Sequence, residues 1–111
     1  MMHKDLAAGR WFQLSLVEQL ANVGSDIIRT IKWKKKDNPE HGQKAFDRAL
    51  ELLSLTIADP KNRGARLKEL VRTREALIDH FMFDNEYSST DELWEKYFFG
   101  FNYAAAMSKT K

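Results

Sequence analysis

Apolar residues recur at three-and-four spacing along almost the whole chain, the period of an amphipathic helix. The first such segment runs from about Asp5 to Trp33, where Leu6, Leu16, Leu20, Val23, Ile27 and Ile31 form one stripe. Leu14, Ala21 and Ile28 form a second flank. A helix apolar on two flanks is either central in a bundle or part of an oligomer interface. Gly24 costs about 1 kcal/mol relative to alanine in mid-helix, and it predicts the close approach of a neighbouring helix. The segment ends in Lys32, Trp33, Lys34, Lys35 and Lys36, cations suited to a helix C-terminus.

A second helix is predicted from Asn38, a good N-cap, followed by Pro39 and Glu40 in the first turn. Phe46, Ala49, Leu50, Leu53 and Ile57 make its inward face, and Asp59-Pro60 ends it. A third runs from Gly64 to Phe83 on a stripe of Leu67, Leu70, Val71, Leu77, Ile78 and Phe81. Asp84 to Tyr87 reads as a loop. Ser89 with Glu92 three residues on then reads as a capping box. The fourth helix turns Leu93, Trp94, Tyr97, Phe98, Phe101, Ala104 and Ala105 inward.

Four helices on short loops predict an all-α fold, a four-helix up-down-up-down bundle with a long first helix. The chain is one domain over 1–111, with ends frayed at about 1–4 and 107–111. At 1.5 Å per residue the first helix would be about 40–45 Å long and the others about 25–30 Å. It would then overhang its neighbour, and Trp11, Phe12 and Leu14 would meet Phe99 and Phe101 of the fourth helix, within the chain or across a dimer.

Composition adds little chemistry. The chain has 111 residues, is 43% hydrophobic and 31% charged, and carries a net charge of +2, too near balance to argue for nucleic acid. Aromatic residues, at 12%, favour a packed interior. The absence of cysteine removes thiolate chemistry and favours a reducing, cytoplasmic setting. No apolar run is long enough for a membrane span, and the start lacks the apolar run of a secretory signal. His3, His41 and His80 lie too far apart for His-x-x-x-His, and no Glu-x-x-His of the di-iron type occurs, so neither a metal nor another cofactor is expected.

Two basic groups stand out. Arg29, Lys32, Lys34, Lys35 and Lys36 fall at the same end of the bundle as Asp84, Glu86, Asp91 and Glu92, so charge complementarity within the chain accounts for them. Lys61, Arg63, Arg66 and Lys68 fall at the opposite end, which does not make one continuous groove in a monomer.

Arg74 is the most unusual position. At about 100° per residue, the six apolar residues of the third stripe all fall within about 60° of it, and His80 lies about 120° away. A guanidinium on a core face needs a carboxylate, and Glu18, Asp47, Glu51 and Asp91 are the candidates. On that reading the arginine is structural and His80 sits on the solvent flank.

Arg74-Glu75-Ala76-Leu77-Ile78-Asp79-His80 also resembles the Arg-x(4–6)-His motif of HEPN domains, small helical bundles many of which are metal-independent RNases or toxin–antitoxin partners. The resemblance implies catalysis by Arg74 and His80 from two protomers at a dimer interface, the arginine stabilising phosphate charge and the histidine acting as acid or base. Glu75 departs from the family pattern, which has Asn, Asp or His after the arginine. Outside these seven residues the chain resembles small helical proteins without an assigned activity.

The leading expectation is a non-catalytic module that self-associates, as a homodimer or higher homo-oligomer, and has room for another protein partner. The alternative is a HEPN-like RNA-binding protein or RNase; RNA is a partner only there. A third idea is a small-molecule pocket between the aromatics of the first and fourth helices.

Overall fold

The computed structural model describes residues 9–109, with side chains described to Met107. The expected helix start at Asp5, Leu6 of its stripe, and the frayed positions 1–4 and 110–111 lie outside these. Among the described residues there are four helices and no strand: α1 (Leu16–Lys35), α2 (Pro39–Ala58), α3 (Ala65–Met82) and α4 (Asp91–Lys109). α4 continues helical past Met107, where fraying was expected.

The first helix is not long. A single 3-10 turn, Trp11–Gln13, is followed by extended backbone at Leu14, and α1 begins only after Ser15. The hydroxyl of Ser15 accepts the Glu18 N–H at 3.1 Å, and the Glu18 carboxylate accepts the Ser15 N–H at 3.0 Å. This reciprocal pair satisfies two otherwise unmatched donors and fixes the boundary. α1 therefore has 20 residues, the same as α2, and it does not overhang its neighbour.

The other boundaries follow local chemistry. Asp37, at φ 56°, closes α1, with Asn38 N–H donating back to Trp33 at 3.0 Å. The Asn38 side chain then accepts the His41 N–H and starts α2. α4 is capped by Thr90, whose hydroxyl accepts the Leu93 N–H at 3.0 Å, so the capping residue is Thr90 and not Ser89. Leu93 consequently turns outward, against expectation.

α1 packs against both α2 and α4, and this uses both of its apolar flanks. Lys34 meets Asp91, Gly24 meets Phe98, and Leu14 shares a cleft with Ala105, so α1 and α4 run antiparallel. Trp11 on Thr56 and Arg48 near Asp26 set α2 antiparallel to α1 in the same way. The side-chain contacts of Phe46 with Phe81, Thr73 with Tyr97 and His80 with Asp91 bring α3 alongside α2 and α4. α3 is shallow: only Leu70, Thr73 and Leu77 are buried, against eight residues each in α1 and α2.

A polar hub ties the Trp11 end together. Gln19, fully buried, donates to Trp11 O at 3.1 Å and to Asp59 Oδ2 at 2.8 Å, and its own oxygen accepts from Asn62 at 3.2 Å. Asn62 also donates to Thr56 O, and Trp11 Nε1 donates to Thr56 Oγ1. Lys61 closes the hub by pairing with Asp59 and donating to Phe12 O.

A Cβ at Gly24 would stand 2.7 Å from Phe98 Cβ, an atom fixed to the α4 backbone. Gly24→Ala should therefore push the two helices apart. The about 1 kcal/mol gained in helix propensity is outweighed by overpacking of about 1–3 kcal/mol, and a lower midpoint in chemical denaturation is the expected result.

Candidate functional site

The buried face of α3 is centred on Leu70, Thr73 and Leu77. That centre is rotated about 60° from Arg74 toward Thr73. The rotation exchanges the expected places of the two residues. Arg74 is half-buried at the edge of the face, and no hydrogen bond or ion pair joins it to another group among the described residues. His80 is the buried one, with its side chain 6% exposed. The expected buried Arg74–carboxylate pair is therefore not formed. Asp91 binds His80 and Lys34, Asp47 accepts from Gln43, and Glu18 caps α1.

His80 Nε2 lies 2.8 Å from Asp91 Oδ1, and because a carboxylate only accepts, this nitrogen carries the proton. Nδ1 is buried without a partner. Neither ring nitrogen is open to a substrate. The ring edge packs on Phe81 at 4.6 Å between centroids, and Lys34 sits 5.7 Å from the Phe81 ring while also binding Asp91. The cluster joins the end of α1, the end of α3 and the start of α4.

Two carboxylates are held below the usual range. Burial alone would raise Asp91, but hydrogen bonds from His80 and Lys34, with their charges, lower it. Burial likewise opposes ionisation of Asp59, and Lys61 and Gln19 overcome it. Tyr97 is shifted upward by burial, with Glu69 adding to the shift and the hydrogen bond between it and Thr73 opposing it.

Three members of the basic run at the end of α1 are matched within the chain, Lys34 by Asp91, Lys35 by Glu95 and Arg29 by Asp26, while Lys36 lies over the Trp33 ring. Of the opposite group, Lys61 is held by Asp59, and Arg63 donates to Pro60 O.

The five expected interface residues separate. Trp11 is in the core, so it offers no surface to another copy; Phe12, Leu14 and Phe101 are partly buried and packed on the core. Phe99 alone projects freely, at 64% exposure. It begins an outward row with Tyr103 and Met107 on the face of α4 opposite Trp94, Phe98 and Ala105. This row sequence reading missed, although the spacing of four in 99, 103 and 107 was its signal.

The cleft between α1 and α4 is lined by Leu14, Ala21, Ser25 and Ala105 among other small or polar side chains, not by aromatic rings. Aromatic rings line a different concavity, of about 210 Å³, where α1 meets α2, floored by Phe46 and Phe81. Among the described residues no three His, Asp or Glu side chains are grouped to hold a metal ion, and no helix is long and apolar enough to cross a membrane. No protein family, curated protein or solved structure matches this chain.

Both lowered carboxylates bind protons more weakly in the folded chain than in the unfolded one. Their stabilisation is complete above the ordinary carboxylate pKa of about 4 and is lost as pH falls below it. Asp59→Asn should cost about 1.5–3 kcal/mol at pH 7, the scale of hydrogen bonds to a charged group. Its stability should also fall less steeply than wild type below about pH 4, measured as thermal midpoint against pH.

Proposed function

We propose that the chain is a non-catalytic helical-bundle module that self-associates. The observation that carries this reading is the exposed apolar surface ordered in rows: Phe99, Tyr103 and Met107 on α4, and Val71 with Met82 on α3. Ordered apolar rows on a small domain mark association surfaces more often than scattered single residues do. The two apolar flanks of α1 no longer contribute, because α2 and α4 cover them. The lack of cysteine fits a reducing compartment such as the cytoplasm.

The HEPN-like reading is the second one. It draws on Arg74, half-exposed and without an ion-pair partner among the described residues. Against it stands His80, whose two nitrogens are respectively engaged and buried, so that general acid–base work would require α3 and α4 to part.

Size-exclusion chromatography with light scattering should give a mass above 13.0 kDa at high micromolar concentration. A monomer throughout that range would end the self-association reading. Incubation with single-stranded RNA in chelator should leave it intact. Cleavage that disappears in folded Arg74→Ala and His80→Ala variants would establish the HEPN-like reading in its place.

A further inference from the structure

We infer that two copies of this chain pair antiparallel through the outer face of α3, with Arg74 of each copy bound by Glu75 of the other. The inference rests on the self-association proposed above and names its surface.

The stripe that surrounds Arg74 in the sequence is two faces, not one. Leu70, Thr73 and Leu77 enter the core. Leu67, Val71, Ile78 and Met82 fall within about 60° of one another, on a row about 110° from that face. Val71 is 39% and Met82 49% exposed, while Leu67 and Ile78 are half-buried. With Arg74 between them, these positions step by four, three, four and four residues, the spacing of a helix–helix seam. The row spans about 22 Å of helix at 1.5 Å per residue.

Charge beside this row is segregated along α3. Lys68, Arg72 and Arg74 come from its first half and Glu75 and Asp79 from the second, while Arg66 and Glu69 point to the other side of the helix. Asp84 and Glu86 continue the acidic end in the loop beyond, beside exposed Phe83 and Tyr87. A parallel partner would set like charges together. An antiparallel copy about a two-fold axis between Arg74 and Glu75 sets Lys68, Arg72 and Arg74 against Glu75 and Asp79. In that register Leu67 faces Met82 of the second copy, Val71 faces Ile78, and Arg74 faces Glu75. Lys68 and Arg72 lie on the same flank as Glu75 and Asp79, and an antiparallel pair brings each flank against its own equivalent. Lys68 then meets Asp79 and Arg72 meets Glu75, each contact occurring twice because the interface is isologous.

The seam also gives Arg74 the partner that it lacks among the described residues. A guanidinium among Leu67, Val71 and Ile78 gains from a carboxylate brought to it as water is excluded. That carboxylate stands where the HEPN-like chemistry needs a phosphate. The outward row of α4 has no such charge code to fix a register. One helix face per copy is a small interface, so the dimer is expected to be weak, in the micromolar range.

The test is a charge swap on the full chain, read by sedimentation equilibrium, with circular dichroism to show that each variant folds. Glu75→Arg alone should raise the dimer dissociation constant at least tenfold, because it meets Arg72 and Arg74. Arg72→Glu with Arg74→Glu should do the same. An equimolar mixture of the two variants should restore the wild-type dissociation constant. A wild-type chain that stays monomeric to high micromolar concentration overturns both this pairing and the self-association reading. A wild-type dimer that neither variant weakens overturns the α3 pairing alone, and loss of that dimer on Phe99→Glu would place the contact on α4.

Discussion

The fold hangs on one buried amide. Gln19 has no contact with water and three hydrogen bonds, which join the 3-10 turn, α1, the end of α2 and the α2–α3 connection. A buried amide without partners would cost several kcal/mol, so the segments must converge on it together or not at all. Asp59 makes the arrangement electrostatic as well, because its charge is tolerated only while Lys61 and Gln19 hold it. Through Trp11 and Phe12 the hub also folds the N-terminal turn back over α2, where a continuous helix would have run on into solvent.

From that end the packing follows. α1 is the central helix, and its two apolar flanks are covered by α2 and α4. Gly24 removes the one side chain that would hold α4 away, and Phe98 fills the space, stacked with Trp94 and edge-on to Tyr97. α3 takes what is left. It reaches its neighbours through longer side chains, Phe81 on Phe46 and His80 on Asp91, and keeps most of its surface outside. A helix held this shallowly, with a charge-segregated apolar row on its free side, is the natural place for a small module to meet another chain.

The candidate site turned on a rotation of about 60°. Thr73 is buried, with its hydroxyl satisfied by Glu69 O, and that polar residue on the inner face moves the true axis away from Arg74. Periodicity that counts only apolar residues places the axis between the inner and outer rows of α3, where neither lies. His80 thereby changes from a solvent-flank residue to a buried strut between α3 and α4, and Arg74 from a core charge to a charge at the edge of an open seam.

The kind of each element and most of the element ends are local properties, legible residue by residue along the chain. The helical period, Asn38-Pro39 and Asp59-Pro60 act through local sterics and hydrogen bonding, and they hold in any packing. The capping box at Ser15 and Glu18 was equally local, and a stripe continued through Leu14 obscured it. Which face of each helix is inside was decided only by tertiary structure. Gln19, Thr56, Asn62, Thr73 and His80 are polar yet buried, each holding at least one hydrogen bond there, although Asn62 Oδ1 and His80 Nδ1 stay unpartnered. Phe99 and Met82 are apolar yet exposed, because no other helix among the described residues covers them. Burial depends on the partner that arrives, and the arrival of a partner is not written in the period of one helix.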